Sequence, residues 1–420
     1  MSVRRELGLL HATMMGLGST ICAGIFVILS PAVAIAGPAV VLSFLLCGII
    51  NLATMLSYCE LGAARPGLGG EYIYVKEAFS GLPSFLTGWY EWSSNIFYAT
   101  LMVSGSAYML TYVTSLNEFV IIAALVLVFT FVNIRGIRAA GNLQTVLTLT
   151  LLAIIASFIG AGFIHGFRPN AFEPFMPNGL PAVIAAIAFI FETYVGVEAI
   201  AATQAEIKNP EKTVPRAMIL SSVTLIIVYC LVAYVTVGVV SLETLNNSQA
   251  PLNLVAGATM GWVGVVLLTI AGLIAAWTSL NSAIIASSRA ACAMGQNGDF
   301  PTCFGKIHRN YKTPYLAIIL SSVFILLFST VDNLDFVVYS ISFGFMIGFS
   351  LVNLSLIKLR RDKPYMRRPF MTPLYPLTPI IGIVTSISLM IFFDIRSLIF
   401  GIAWGLLGCM IHLSKRRAKR

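Results

Sequence analysis

The sequence predicts an all-α membrane protein of about twelve spanning helices, and three observations carry that prediction. The first is composition. Of 420 residues 58% are apolar and only 10% are charged, with a mean hydropathy of +0.89, whereas soluble domains carry roughly 25% charged residues. Water could not be screened from so much apolar surface, so lipid is the solvent for most of it. The second is the form of the apolar runs, which are of spanning length and do not alternate. Backbone groups in hydrocarbon must bond each other, within a helix or around a closed barrel, and the missing alternation excludes the barrel. The third is the placement of charge, which alternates in sign along the chain.

Apolar runs fall at roughly 9–35, 38–62, 82–113, 118–134, 140–165 and 181–203, here spans 1 to 6. Spans 7 to 12 follow at roughly 215–241, 260–294, 314–330, 334–357, 375–393 and 397–413. The even number puts both termini on one side. Lys and Arg say which side. They cluster at Arg4 and Arg5, at Arg65 and Lys76, at Arg135 and Arg138, and at Lys208, Lys212 and Arg216. Further groups run from Arg289 to Lys312, from Lys358 to Arg368, and from Lys415 to Arg420. All 24 lie in alternate loops, and only Arg168 and Arg396 lie opposite. By the positive-inside rule that shared face is the cytoplasm. A net charge of +9 therefore reads as orientation and contact with anionic lipid headgroups, and no nucleic-acid partner is expected. The stretch after Arg4 and Arg5 is too long for a signal-peptide core and continues into further spans.

Several chemistries lack their residues. The seven cysteines are scattered, most inside apolar runs, with no CxxC pair. His11, His165, His308 and His412 form no metal pair. There is no GxSxG elbow and no GxxxxGK[ST] loop, so an intramembrane enzyme and an ATP-driven pump have no support. No metal and no organic cofactor is expected.

Two spans are interrupted. Span 1 contains Gly16, Gly18, Ser19, Thr20, Cys22, Ala23 and Gly24, and span 6 contains Glu192, Thr193, Gly196 and Glu198. Small residues inside a membrane helix commonly serve close packing. These two runs, however, occupy matching positions in two five-helix halves, the sequence pattern of a transporter site built from broken helices. An unwound turn offers N–H groups to an anion and carbonyls to an ammonium, and an α-amino acid carries both.

Four segments resemble the amino acid–polyamine–organocation transporters over nearly the whole chain. They are Glu60 to Tyr74 after span 2, Glu206 to Ala217 after span 6, Ser288 through Pro301 to Pro314 after span 8, and Leu359 to Leu377 before span 11. The resemblance implies a five-plus-five inverted repeat, with repeats over 1–170 and 171–360 and two added helices over 361–420. It implies alternating access around a site between spans 1, 3, 6, 8 and 10. Carried over residue by residue, the amides of Ala23 and Gly24 hold a substrate carboxylate, and carbonyls near Thr20, Phe191 and Tyr194 take the amine. Cys22, which departs from the glycine usual in the family, Asn95 and Gly196 complete the set.

Glu91, Glu192 and Glu198 lie inside spans, where a carboxylate is costly and marks function. Glu198 relays protons or ties helix ends. Glu192 stands where the family commonly has an aromatic over the substrate, so it either receives a cationic side chain or is held protonated. Glu91, near the cytoplasmic end of span 3, reads as a hydrated structural group. Some members carry the coupled proton on a span-5 lysine; here Thr150 matches that position, and no basic residue lies between Arg138 and Arg168. Sodium remains open at Thr278 and Ser279 beside span-1 carbonyls, unless those hydroxyls merely bond their own helix. The expectation is a secondary transporter of amino acids in the cell membrane, with a polyamine or other cationic amine as the alternative substrate. A non-transporting solute sensor is the rival of another class. Substrate identity, coupling ion and oligomeric state are left open.

Overall fold

The computed structural model describes residues 3–22, 24–331 and 335–418. Among them the backbone is helical with short turns, and the only pairing of extended chain is an isolated parallel bridge between Leu7 and Ile207. Among the described residues eight helical segments are long and apolar enough to cross a membrane: Gly24–Ala64, Glu118–Arg135, Ile137–Ile164, Gly179–Ala202, Pro210–Val239, Pro251–Gln296, Ile341–Asp362 and Ile395–Lys415. The difference from twelve has local causes. Leu9–Thr20 is a half-span of 12 residues, and the run from Gly24 continues through the 3-10 turn Gly37–Ala39 into Val40–Ala64. Leu82–Thr114 is 33 residues long but carries Glu91 and several hydroxyl residues. Tyr315–Phe328 and Leu377–Met390 have 14 residues each, about 21 Å of helix at 1.5 Å per residue.

Lipid tails are as apolar as leucine, so helix contacts depend on close fit and polar links. Leu9–Thr20 wedges against Ile137–Ile164 and Pro210–Val239. Ser221 Oγ donates to the Thr13 carbonyl at 3.1 Å, and Thr148 Oγ1 donates to the Met14 carbonyl at 3.1 Å. Gly18 leaves the space into which Thr148 and Gln144 project. Behind them, buried Asn133 donates to Asn281 Oδ1 at 2.9 Å, and Asn281 donates to Gln144 Oε1 at 2.8 Å. That amide chain links predicted spans 4, 8 and 5. Leu82–Thr114 packs along Pro251–Gln296, and Val40–Ala64 along Pro210–Val239.

Candidate functional site

The helix Leu9–Thr20 stops where its own hydroxyl turns inward: Thr20 Oγ1 donates to the Gly16 carbonyl at 2.8 Å. Ile21 leaves helical geometry at φ −73°, ψ 79°, and the helix resumes at Gly24. Ala23 lies outside the described residues. The Gly24 amide, assigned to a carboxylate, donates to Cys22 Sγ at 3.3 Å. A substrate carboxylate at that amide has to displace the thiol.

The second break is longer. Gly179–Ile190 gives way to a 3-10 turn over Phe191–Tyr194, then to extended Val195, and a short helix restarts at Ala199. Gly196 has φ +140°, and a Cβ there would lie 2.6–2.7 Å from Thr20 Oγ1, Cα and N. Only glycine meets both demands. The two breaks therefore touch, backbone against backbone. Tyr229 fastens them, its hydroxyl lying 3.0 Å from the carbonyls of both Thr20 and Thr193. Glu198, 8% exposed, accepts the Gly196 N–H at 2.8 Å and so holds the restart of the broken helix.

The other assigned residues take varied positions. Tyr194 is buried and donates to the Phe44 carbonyl at 2.8 Å. Phe191 is buried, and Glu192 beside it is exposed, accepting from Ser342 Oγ at 2.8 Å. Asn95 donates to the Glu91 carbonyl one turn back at 2.7 Å. Ser279 Oγ reaches the Ser19 carbonyl at 3.3 Å across the helix contact, whereas Thr278 bonds the Ala275 carbonyl in its own helix at 2.9 Å. Tyr98 Oη lies 3.2 Å from both the Ser19 carbonyl and Ser279 Oγ. Cys22, Met102 and Ala276 form a small apolar cluster beside the break, with Tyr98 and Leu101 packed on it.

Two expectations change. Thr150 is exposed and bonds its own helix at Val146, while Thr148, two residues earlier, meets span 1. Glu91 is buried rather than hydrated, and its carboxylate accepts the Tyr72 N–H at 3.1 Å. Nearby Glu71 accepts from Tyr58 Oη at 2.8 Å. Burial raises the Glu71 carboxyl above the ordinary glutamate range, with Tyr58 pulling the other way and Glu198 adding to the rise. Tyr98, Tyr229 and Thr148 were not singled out from sequence. For the two tyrosines the signal available was a polar tip on an aromatic inside an apolar run.

The four family-like segments meet one another in space. Arg289 of the span-8 end forks onto Glu206, both side chains fully buried, with Nε and Nη2 at 3.1 Å. Glu60 accepts from Arg360 Nε at 2.9 Å and from the Thr372 N–H at 2.7 Å, with Arg368 Nε 3.2 Å away. Tyr72 and Lys76 both reach Asp299. The Glu206 carbonyl also accepts the N–H groups of Glu6 and Leu7. Among the described residues no group of three or more His, Cys, Asp or Glu is arranged to hold a metal.

The chain is similar in sequence to known transporters. A family model described as amino acid permease matches residues 7–402. A branched-chain amino acid permease of Bacillus subtilis is 25% identical, covering 100% of this chain and 95% of its own length. A serine/threonine exchanger of the same organism is 26% identical over 99% of this chain and 98% of its own length. A methylthioribose transporter, also from Bacillus subtilis, is 27% identical over 91% and 87% respectively. With apolar helices throughout and a permease match along nearly its whole length, this multi-pass membrane protein belongs to the amino acid permease family of the amino acid–polyamine–organocation superfamily.

Proposed function

We propose that this permease is a secondary active transporter that carries neutral amino acids across the cell membrane by alternating access, with the substrate at the unwound parts of spans 1 and 6. The observation that carries this reading is the contact of the two breaks, Gly196 against Thr20, which brings the non-helical backbone of both half-helices together. The apolar patch of Cys22, Met102 and Ala276 offers a side-chain subsite suited to a branched aliphatic group. Relatives named for branched-chain amino acids and for serine and threonine favour the same substrate class. The cationic alternative draws on Glu192, exposed and aimed at Ser342.

In this reading the chain crosses the membrane twelve times, in two inverted five-span repeats over 1–170 and 171–360 and two further spans over 361–420. Both termini are cytoplasmic because 24 of 26 basic residues then share a face. An impermeant maleimide should label Ser248→Cys in intact cells above the wild-type background and leave Asn310→Cys unlabelled until the cells are permeabilised. The reverse pattern breaks the topology.

Coupling is to sodium or to a counter-substrate. The span-5 position facing span 1 is a threonine already bonded to Met14, which carries no titrating proton. Ser279 Oγ, Tyr98 Oη and the Ser19 carbonyl form a set of oxygens beside the break. A thermal-shift screen of amino acids, amines and methylthioribose on detergent-purified protein identifies the ligand, since binding to the folded state raises its stability. Uptake into proteoliposomes under separate sodium, proton and zero gradients then decides coupling. Stabilisation by neutral aliphatic amino acids, with flux under sodium or exchange, is expected. Stabilisation by polyamines alone moves the substrate class to cationic amines, and binding without flux under any gradient makes the protein a sensor. Flux driven by protons alone overturns the coupling assignment and points to Glu198.

A further inference from the structure

The basic residues assigned to the cytoplasmic face differ in what they meet. Arg65 pairs with Glu77, Lys76 with Asp299 and Arg289 with Glu206. Lys306 and Arg309 have no ion-pair partner among the described residues. Both line a cavity of about 900 Å³ between the amino-terminal segment and the loop that joins predicted spans 8 and 9. We propose that this cavity binds an organic phosphate, at a site remote from the substrate position.

Segments distant in sequence build the walls. Val3 belongs to the amino-terminal segment, which is tied to the loop after span 6: the Glu206 carbonyl accepts the N–H groups of Glu6 and Leu7, and the Lys208 N–H donates to the Leu7 carbonyl at 2.8 Å. Leu68 belongs to the loop after span 2, where neighbouring Gly69, at φ +90°, packs against Ala293. Gln296 ends the helix Pro251–Gln296, and the chain from Lys306 to Tyr315 leads from it into span 9. That last wall is shaped by its own backbone. The His308 N–H donates to the Thr313 carbonyl at 2.8 Å, and the Lys312 N–H donates to the His308 carbonyl at 3.1 Å. His308 Nδ1 accepts the N–H groups of Asn310 and Tyr311, both at 3.2 Å. A neutral imidazole whose Nδ1 accepts carries its proton on Nε2, so His308 brings one more donor to the cavity.

These groups select an anion. Lys306, His308 and Arg309 offer donors, and no Asp or Glu among the described residues lines the cavity. A cation is repelled there, and a neutral solute leaves two charges uncompensated. A phosphate can take two parallel bonds from the Arg309 fork while Lys306 acts as a point charge. The volume lies within the range of roughly 300–1,000 Å³ common for small organic ligands, and Val3, Leu68, Ile307 and Tyr315 give the organic part an apolar wall. A soluble phosphate ester and a phospholipid headgroup share this chemistry. Orientation in the membrane requires basic residues on one face. It does not require a cavity that keeps two of them clear of carboxylates while neighbouring loops pair theirs. An occupant bridges the amino-terminal segment and the end of span 8. The inference rests on the topology proposed above only for the compartment from which the ligand arrives.

Isothermal titration of detergent-purified full-length protein with magnesium-free ATP and, separately, with dihexanoyl phosphatidylglycerol tests it. Saturable binding of at least one is expected: ATP alone assigns a soluble source, and the lipid alone assigns a headgroup. The Lys306→Gln/Arg309→Gln double variant should weaken that binding by more than tenfold. Each single variant should weaken it several-fold, so one folded variant suffices. Lys212→Gln/Arg216→Gln removes two exposed charges from the loop after span 6 and should leave the affinity within twofold of wild type. Adenosine and dihexanoyl phosphatidylcholine, which lack the net negative charge, should bind more weakly and equally in all variants. No saturable binding of either probe, unchanged affinity in a folded Lys306 or Arg309 variant, or an equal loss in Lys212→Gln/Arg216→Gln overturns the proposal. Binding in detergent needs no flux, so the amino acid screen on the same preparation reports on the transport reading separately.

Discussion

Gly196→Ala should reduce substrate uptake on the order of 100-fold while leaving the protein monodisperse in detergent. The added Cβ would fall 2.7 Å from Thr20 N and Cα, and φ +140° is closed to an L side chain. Backbone atoms cannot swing aside as a long side chain can. The two breaks must separate, probing the substrate position directly, and a displacement of about 1 Å at a working site costs roughly that factor. Gly105→Ala is the matched control. It lies in the helix Leu82–Thr114, and a Cβ there meets nothing within 4 Å, so alanine should be neutral or stabilise by up to about 1 kcal/mol. Uptake by Gly196→Ala within twofold of wild type would detach transport from the contact of the breaks.

The second large effect is expected at Arg289. Its guanidinium and the Glu206 carboxylate are both fully buried and held by two parallel hydrogen bonds of 3.1 Å. Removing one partner strands the other charge away from water, which costs about 3–5 kcal/mol. Arg289→Met should therefore lower the apparent melting temperature sharply. The Arg289→Met/Glu206→Gln double variant should recover most of the loss, because no bare charge is then left and neighbouring sites are not additive. A single variant that melts with the wild type would mean that water reaches the pair. The Glu206 backbone also receives Glu6 and Leu7, so the same lesion should loosen the amino-terminal segment. Greater proteolytic cleavage before Leu9 in Arg289→Met reports that.

Much of the architecture could be read from sequence because lipid imposes rules that act along the chain. A backbone group in hydrocarbon must be bonded within its own helix, so spans announce themselves as apolar runs. The interruptions announced themselves through glycines, and at Gly196 the reason is steric: a positive φ and a neighbouring backbone that leaves no room for a side chain. The family-like segments were also legible. What was not legible was that they close on each other as ion pairs, Glu206 with Arg289 and Glu60 with Arg360 and Arg368.

The direction in which each side chain points was decided by tertiary structure alone. Thr150 and Thr148 differ by two residues, which turns a helix by about 200°, and packing of span 5 on Leu9–Thr20 chose Thr148. The same choice turned Glu192 toward Ser342 while burying Phe191 beside it. It brought Tyr229 onto carbonyls of two broken helices, one 209 residues distant and one 36. Membrane class and family were determined by the sequence itself, because composition, apolar length and local motifs survive any rotation of a helix about its axis. The site was decided by the fold, because a binding position depends on that rotation, and rotation is fixed only when helices distant in sequence pack together.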